Sequence, residues 1–185
     1  MSAILEREIK LAFDSPEDAR RAVTACGGTP LRGRRLQEDC LLDTPDGRLR
    51  AKRCVIRVRM ENGRALLTFK GPAQYSRMKL REELETVVGD GLLLLRVLDE
   101  LGYAVWFRYQ KYREEFSEGD VIIAVDETPV GTFVEIEGSE DGINRTAAAL
   151  ARSPEDYVLD SYRVLYVKYC ESRGLPVADM LFEDT

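Results

Sequence analysis

The chain has 185 residues, of which 44% are hydrophobic and 32% are charged, and its formal net charge is −6. This length and composition predict one globular domain over residues 1–185, with a loosely packed tail from about residue 174. The acidic balance argues against broad, non-specific binding to nucleic acid. Histidine is absent, which excludes a Ser-His-Asp triad, histidine acid–base catalysis and histidine-ligated zinc.

The sequence also predicts a cytoplasmic protein without a membrane segment. Residues 1–6 lack the basic and apolar regions of a signal peptide. The densest apolar run, Leu92–Leu95, is far too short to cross a bilayer. The cysteines lie far apart without metal-ligand spacing, which is typical of free thiols in a reducing compartment. They are Cys26, Cys40, Cys54 and Cys170.

The first quarter of the chain predicts a strand, a helix and a second strand. The first strand contains Glu6. A helix capped by Ser15 follows and ends at about Cys26, before two glycines. A basic loop over residues 32–35 then leads into a strand at 36–43.

The middle of the chain predicts three strands and a helix. The strands span residues 52–60, 64–70 and 79–87, and an Asn-Gly turn joins the first two. A helix is expected over 90–101 because Leu93, Val97 and Leu101 recur at helical spacing. We expect these three side chains to face the core.

The last part of the chain predicts three strands followed by two helices. The strands span residues 104–116, 120–126 and 133–137. The helices span about 140–151 and 154–173.

Several of these strands carry charge on one face and apolar side chains on the other. The first strand sends Glu6, Glu8 and Lys10 to one side and Ile9 and Leu11 to the other. Because the apolar faces must meet the amphipathic helices, we predict an α+β fold, an antiparallel β-barrel with helices packed outside and a charged interior. About fourteen ions cannot be buried dry, so this interior must hold water. A flat sheet with a solvated charged face is the alternative.

The charged face supplies two chemically different sets of side chains. The acids are Glu6, Glu8, Glu83, Glu85, Asp126, Glu135 and Glu137. The bases are Lys10, Arg57, Arg59, Lys70, Arg81, Lys111 and Arg113. Lysine and arginine bind phosphate oxygens, and carboxylates hold Mg²⁺ or Mn²⁺, which bridges to phosphate. Together they predict a polyphosphate site in which positioning and charge stabilisation promote attack at phosphorus.

The same segments resemble the signatures of the CYTH superfamily, also called triphosphate tunnel metalloenzymes. They include Glu6-x-Glu8-x-Lys10, Ile56-Arg57-Val58-Arg59, Arg81-Glu82-Glu83-Leu84-Glu85 and residues 131–138, in order along nearly the whole chain. The family includes class IV adenylate cyclases, thiamine triphosphatases and inorganic triphosphatases. The resemblance implies an eight-stranded antiparallel tunnel, and it alone suggests a homodimer.

The resemblance also implies roles for the charged residues. The side chains expected near the metal are Glu6, Glu8, Glu135 and Glu137, with Asp126 and Glu83 or Glu85 as further acids. The side chains expected to bind triphosphate are Lys10, Arg57, Arg59, Lys70, Lys111 and Arg113. Arg81 joins them unless it is a plain surface arginine. The predicted catalytic residues are Glu6, Glu8, Lys10 and Lys111.

Three functions fit these residues. The first is divalent-metal-dependent hydrolysis of tripolyphosphate or of an organic triphosphate such as thiamine triphosphate. The second is cyclisation of ATP to cyclic AMP and pyrophosphate. The third is a polyphosphate- or nucleotide-binding module without turnover, which the full acidic set disfavours. Tyr75, Phe107 and Tyr109 either stack on a base or pack in the core.

Overall fold

A computed structural model describes residues 5–75 and 77–183, with only the backbone described at Tyr75. The strands are β1 Leu5–Phe13, β2 Thr29–Asp43, β3 Val55–Glu61, β4 Arg64–Lys70, β5 Gln74–Tyr75, β6 Lys79–Val88, β7 Ala104–Glu118, β8 Val121–Thr128 and β9 Gly131–Gly138. The helices are α1 Pro16–Ala25, α2 Arg48–Ala51, α3 Gly91–Glu100, α4 Glu140–Ala149 and α5 Tyr162–Arg173, with a 3₁₀ turn at Pro154–Asp156.

The long strands form a closed antiparallel barrel. Their order is β1-β9-β8-β7-β2-β3-β4-β6, and β6 pairs with β1 to close the ring. Within the described residues, the two-residue β5 pairs with the start of β6. The predicted eight-stranded antiparallel barrel is therefore confirmed, and the flat-sheet alternative is excluded.

The apolar core lies between the barrel wall and the helices. Ile9 and Leu11 of β1 are buried with Val23 of α1 and Ile143 of α4. Because side chains alternate along a strand, the same stretch of β1 sends its charged residues into the barrel. Hydrophobic burial outside thus places charge inside, as the sequence predicted.

The face of helix α3 that packs against the barrel is different from the predicted one. Leu94, Leu95 and Leu98 contact the core, whereas 58% of Leu93 and 68% of Leu101 is exposed. Val97, the third predicted core residue, is also exposed. Leucines occupy four consecutive positions, 92–95, so spacing alone did not identify the buried face.

The segment before β3 forms a short helix instead of the predicted start of a strand. The buried carboxylate of Asp43 accepts hydrogen bonds from the backbone N–H groups of Leu49 and Arg50 at 2.9 and 3.1 Å. These bonds hold α2, so β3 begins at Val55 and not at residue 52. Residues 32–35, predicted as a loop, lie within β2, which pairs with β7 through irregular register.

The predicted helix over 154–173 is interrupted. The 3₁₀ turn ends at Asp156, and the backbone N–H of Val158 donates to the carbonyl of Lys10 at 2.8 Å. The chain is therefore tied to β1 before α5 begins at Tyr162.

The C-terminal tail contacts the barrel at Met180, whereas residues 174–179 are exposed. Met180 is fully buried and exchanges backbone hydrogen bonds with Arg108 and Gln110 of β7. The last two residues, 184 and 185, lie outside the described residues. None of the described helices has the length and apolar character needed to span a membrane.

Candidate functional site

A cavity of about 540 Å³ runs inside the barrel. Its lining includes every predicted site residue except Asp126. Ligand sites for small molecules commonly have volumes of this order. The structure therefore brings together side chains that are as far apart in sequence as Glu6 and Glu137.

The acids concentrate towards one end of the cavity, which we call the acidic end and define by Glu6, Glu8, Glu83, Glu85 and Glu137. Burial and a hydrogen bond with Glu83 raise the pKa of Glu6 to about 8. Desolvation and the nearby carboxylate of Glu8 raise the pKa of Glu137 to about 7. Carboxyl groups that are buried and crowded in this way hold protons near neutral pH, because burial disfavours the charged form and neighbouring negative charges repel one another.

Glu8 differs from these two because cations surround it. Lys79 donates to its carboxylate, and Lys10 Nζ lies 3.8 Å from Glu8 Oε1. Burial disfavours the charged form, but Lys10 and Lys79 more than offset this and lower the pKa of Glu8. Glu8 is therefore ionised in the folded protein at neutral pH.

The acidic end suits a divalent cation by the chemistry of its donors. Hard cations such as Mg²⁺ and Mn²⁺ take carboxylate oxygens, and a cation would offset the burial and the repulsion that together raise the pKa of Glu6 and Glu137. Within residues 5–75 and 77–183, no three acidic or cysteine side chains already converge in metal-binding geometry. Cation binding would thus require some of these carboxylates to reorient.

In the middle of the cavity, lysines and arginines form ion pairs with carboxylates. Lys111 Nζ donates to Asp126 at 2.8 Å, and Lys10 Nζ lies 3.3 Å from Glu135 Oε1. Arg113 donates to both Asp126 and Glu135. Glu8 and Glu135 raise the pKa of Lys10 despite its burial, so Lys10 keeps its charge.

Lys111 is a different kind of cation from Lys10. Burial and the nearby Arg113 guanidinium lower the pKa of Lys111 to about 8. A lysine with such a pKa exchanges its proton readily near neutral pH. It is therefore suited to proton transfer as well as to charge stabilisation.

Asp126 lies behind the cavity wall instead of lining it. Its carboxylate is fully buried and accepts hydrogen bonds from Lys111, Arg113 and the Tyr162 hydroxyl, the last at 2.6 Å. These donors leave little capacity for a metal. From this position, Asp126 orients Lys111 and Arg113 through these hydrogen bonds.

The other predicted phosphate ligands line the cavity in the buried wall. Arg59 Nε donates to Asp39 at 2.8 Å, and Arg57 Nη2 donates to Thr68 at 3.1 Å. Lys70 donates to Glu83. Arg81 donates to the carbonyl of Gly71 at 3.0 Å and faces the cavity, so it is not a plain surface arginine.

Sequence reasoning missed three residues that shape this site. Asp39 anchors Arg59, Lys79 binds Glu8, and Tyr162 reaches Asp126 from α5. Extending the alternation of β6 back by one pair from Arg81 would have identified Lys79. Asp39 is isolated in the sequence, and although Ser161-Tyr162 resembles a family segment, only the fold shows that Tyr162 reaches Asp126.

The opposite end of the cavity, which we call the basic end, is lined by Arg50, Arg53, Trp106 and Arg163. Arg50 lies in α2, Arg53 lies between α2 and β3, Trp106 lies near the start of β7, and Arg163 lies near the start of α5. Strand polarity places them away from Glu137, which lies at the other rim of the barrel. The cavity is therefore polarised along its length.

The candidate stacking residues divide between cavity and core. Tyr109 lines the cavity, and Phe107 is buried among Leu41, Phe133 and other apolar side chains. The side chain of Tyr75 lies outside the described residues. Phe107 therefore serves packing.

Known proteins share both the sequence pattern and the fold. A protein of Methanocaldococcus jannaschii named "Putative adenylate cyclase" is 26% identical over 176 residues, which cover 93% of this chain and all of that protein. A solved Vibrio parahaemolyticus structure, also named as a putative adenylate cyclase, matches with a TM-score of 0.76 at 20% identity, over 89% of this chain and 98% of its own.

A third similar protein is a solved structure from Hippeastrum. It matches with a TM-score of 0.66 at 20% identity and covers 93% of this chain and 97% of its own. It is described as a putative adenylyl cyclase with a dominant triphosphatase activity. The model of the CYTH domain family matches residues 5–162. The chain therefore belongs to the CYTH domain family.

Proposed function

We propose that this protein is a divalent-cation-dependent triphosphatase that cleaves its substrate inside the barrel. The observation that carries the proposal is the single cavity in which crowded carboxyl groups at one end adjoin a row of buried lysines and arginines. The carboxyl groups suit a metal ion, and the lysines and arginines suit a chain of phosphates.

The cations of the wall bind the phosphate oxygens in this proposal. Lys10, Arg57, Arg59, Lys70 and Arg113 now contact carboxylates or hydroxyl groups of the protein. A triphosphate offers the same cations stronger acceptors with more charge. Its binding therefore replaces internal ion pairs with pairs to substrate, which keeps the cost of desolvating the cations low.

The carboxylates that would hold the metal are Glu6, Glu8 and Glu137, with Glu135 beside them. A bound divalent cation neutralises phosphate charge and increases the acidity of water. Lys111, whose pKa is about 8, would give a proton to the leaving phosphate oxygen, and Asp126 keeps Lys111 oriented. Lys10 stays charged and stabilises the negative charge that develops.

Cyclisation of ATP is the second candidate. All three of the similar proteins described above are named as putative adenylate cyclases. The same cations and carboxylates would serve that reaction, with a ribose hydroxyl replacing water as the nucleophile. The Hippeastrum protein, for which triphosphatase activity is dominant, leads us to place hydrolysis first.

The test is a substrate panel with separated products. The purified protein is incubated with tripolyphosphate, thiamine triphosphate or ATP, in Mg²⁺ or Mn²⁺, with a chelator as the matched control. We expect phosphate release that depends on the metal. Cyclic AMP and pyrophosphate from ATP as the main products would replace hydrolysis with cyclisation. Binding without any turnover would leave only the binding module.

A further inference from the structure

Lys79 is a buried lysine beside the acidic end that the proposed function does not use. Only 7% of it is exposed, and it lines the cavity. It lies directly opposite Glu8 where β6 closes the barrel against β1, and its ammonium group donates to the Glu8 carboxylate. Lys79 therefore neutralises the same carboxylate that a bound cation would use.

Lys79 depends on one carboxylate, whereas the other lysine beside Glu8 has two. Lys10 Nζ lies 3.8 Å from Glu8 Oε1 and 3.3 Å from Glu135 Oε1. Among the side chains that the structure describes, Glu8 is the only acceptor of Lys79. If Glu8 turned towards a cation, Lys10 would keep Glu135, but Lys79 would lose its acceptor.

Lys70, the next lysine of the cavity wall, does not share this dependence. It donates to Glu83, and its Nζ atom lies 3.7 Å from Glu6 Oε2. Lys79 is thus the lysine that a movement of Glu8 would leave as a buried ammonium group without a counter-charge. A buried charge without a partner is strongly unfavourable, so something else must then accept from Lys79.

We propose that Lys79 couples the binding of the divalent cation to the binding of phosphate. When Glu8 turns towards the cation, Lys79 turns to a phosphate oxygen in the cavity, which replaces the lost carboxylate. Lys79 therefore opposes binding of the cation alone and favours binding of the cation together with the phosphate chain. This inference rests on the proposed function for the identity of the two ligands.

Isothermal titration calorimetry of the full-length protein with Mn²⁺ measures this coupling without any turnover. The buffer contains either sulfate, a tetrahedral dianion that replaces a phosphate group, or chloride at the same ionic strength. After correction for pairing of Mn²⁺ with sulfate, we expect sulfate to raise the affinity for Mn²⁺ about tenfold, within the usual range of coupling between two sites. No increase in the unsubstituted protein would overturn the inference.

The variant Lys79→Gln removes the charge and retains a hydrogen-bond donor for Glu8. In chloride, we expect it to bind Mn²⁺ about fivefold or more tightly than the unsubstituted protein, because no ammonium group opposes the cation. The increase caused by sulfate should fall to about twofold. An unchanged affinity in chloride, or a full sulfate effect in the variant, would each contradict the proposal.

Two further variants separate the charge of Lys79 from other effects. Lys168→Gln is the matched control, since Lys168 also pairs with one carboxylate, that of Asp160 at 2.6 Å, but lies exposed outside the cavity. We expect no change in it. Lys79→Arg keeps the charge and should keep the sulfate effect. Loss of the effect in Lys79→Arg would overturn the inference even if Lys79→Gln failed to fold.

The two proposals fail in different ways. Metal-dependent phosphate release without an effect of sulfate on Mn²⁺ affinity would remove the coupling and leave the triphosphatase standing. A sulfate effect that disappears in Lys79→Gln, without turnover of any triphosphate, would remove the triphosphatase and leave the coupling.

Discussion

The two ends of the cavity carry unpaired charges of opposite sign, whereas the charged side chains in its middle form ion pairs. In the middle, Lys111 pairs with Asp126 and Arg59 pairs with Asp39, both at 2.8 Å. At the acidic end, Glu137 has no ion-pair partner within the described part of the chain, and the pKa of Glu6 and Glu137 is raised.

At the basic end, Arg53 and Arg163 have no carboxylate partner among the described residues. Unbalanced charge is unfavourable in a folded protein unless a ligand or solvent compensates it. The comparison teaches that the charges in the middle are neutralised within the protein, whereas Glu137 at one end and Arg163 at the other lack a partner of opposite charge among the described residues.

The largest expected effect is at the acidic end. Replacing Glu137 by Gln removes a carboxylate without leaving a protein cation unpaired, so the fold should be retained. Loss of one charged group that acts on the transition state commonly reduces kcat about 100-fold or more. We expect such a loss of triphosphate turnover, measured by phosphate release, without a decrease in the thermal unfolding midpoint.

Glu82→Gln is the matched control for this variant, since Glu82 alternates with Glu83 on β6 and is not among the cavity-lining residues. Glu8→Gln should also abolish turnover, but it leaves Lys10 and Lys79 with fewer acceptors and is the less clean test. Wild-type turnover by Glu137→Gln would remove Glu137 from the metal site.

An intermediate effect is expected where α5 joins the basic end to the matched middle. Tyr162→Phe removes the hydrogen bond to Asp126. A hydrogen bond to a charged group contributes about 1.5–3 kcal/mol, and we expect the lower value because Lys111 and Arg113 still donate to Asp126. The free energy of unfolding in urea measures this loss.

Tyr166→Phe, four residues further along α5, is the comparison. Its hydroxyl donates to the carbonyl of Asp179 at 3.1 Å in an exposed position, so the loss should be smaller, about 0.5 kcal/mol. Equal losses of unfolding free energy in the two variants would show that the hydrogen bond from Tyr162 to Asp126 stabilises the protein no more than an exposed hydrogen bond does.

The smallest effect concerns pH and metal at the acidic end. The pKa of Glu6 is about 8 and that of Glu137 is about 7 in the folded protein, both above the usual glutamate range. Between about pH 5 and 8 the folded state thus binds more protons than the unfolded state, and the free energy of unfolding falls as the pH rises. Histidine, which would titrate in the same window, is absent.

Mg²⁺ binds the ionised carboxylates, so it should raise the unfolding midpoint more at pH 8.5 than at pH 6. The expected difference is about 2–4 °C, which corresponds to about 1 kcal/mol for a chain of this size. Thermal unfolding with and without MgCl₂ at the two pH values measures it. Equal increases at both values would show that Glu6 and Glu137 do not control cation binding.

Much of this architecture could be predicted from alternation along the strands. The run from Glu6 to Leu11 identified which side chains enter the barrel, because neighbouring residues of a strand point to opposite faces. Helical spacing failed to identify the buried face of α3, because consecutive leucines occupy several faces of that helix. It also failed between residues 154 and 161, where a backbone hydrogen bond to Lys10 replaced a helical one.

The sequence by itself determined the barrel, its charged interior and most of the side chains that line the cavity. These follow from local periodicity and charge, which each segment carries independently of its partners. Only the tertiary structure decided that Asp126 supports Lys111 from behind, that Lys79 binds Glu8, and that Trp106 and Arg163 share one end of the cavity. Those relations join residues far apart in the chain, and their meeting depends on strand register and on where α5 begins, which no single segment specifies.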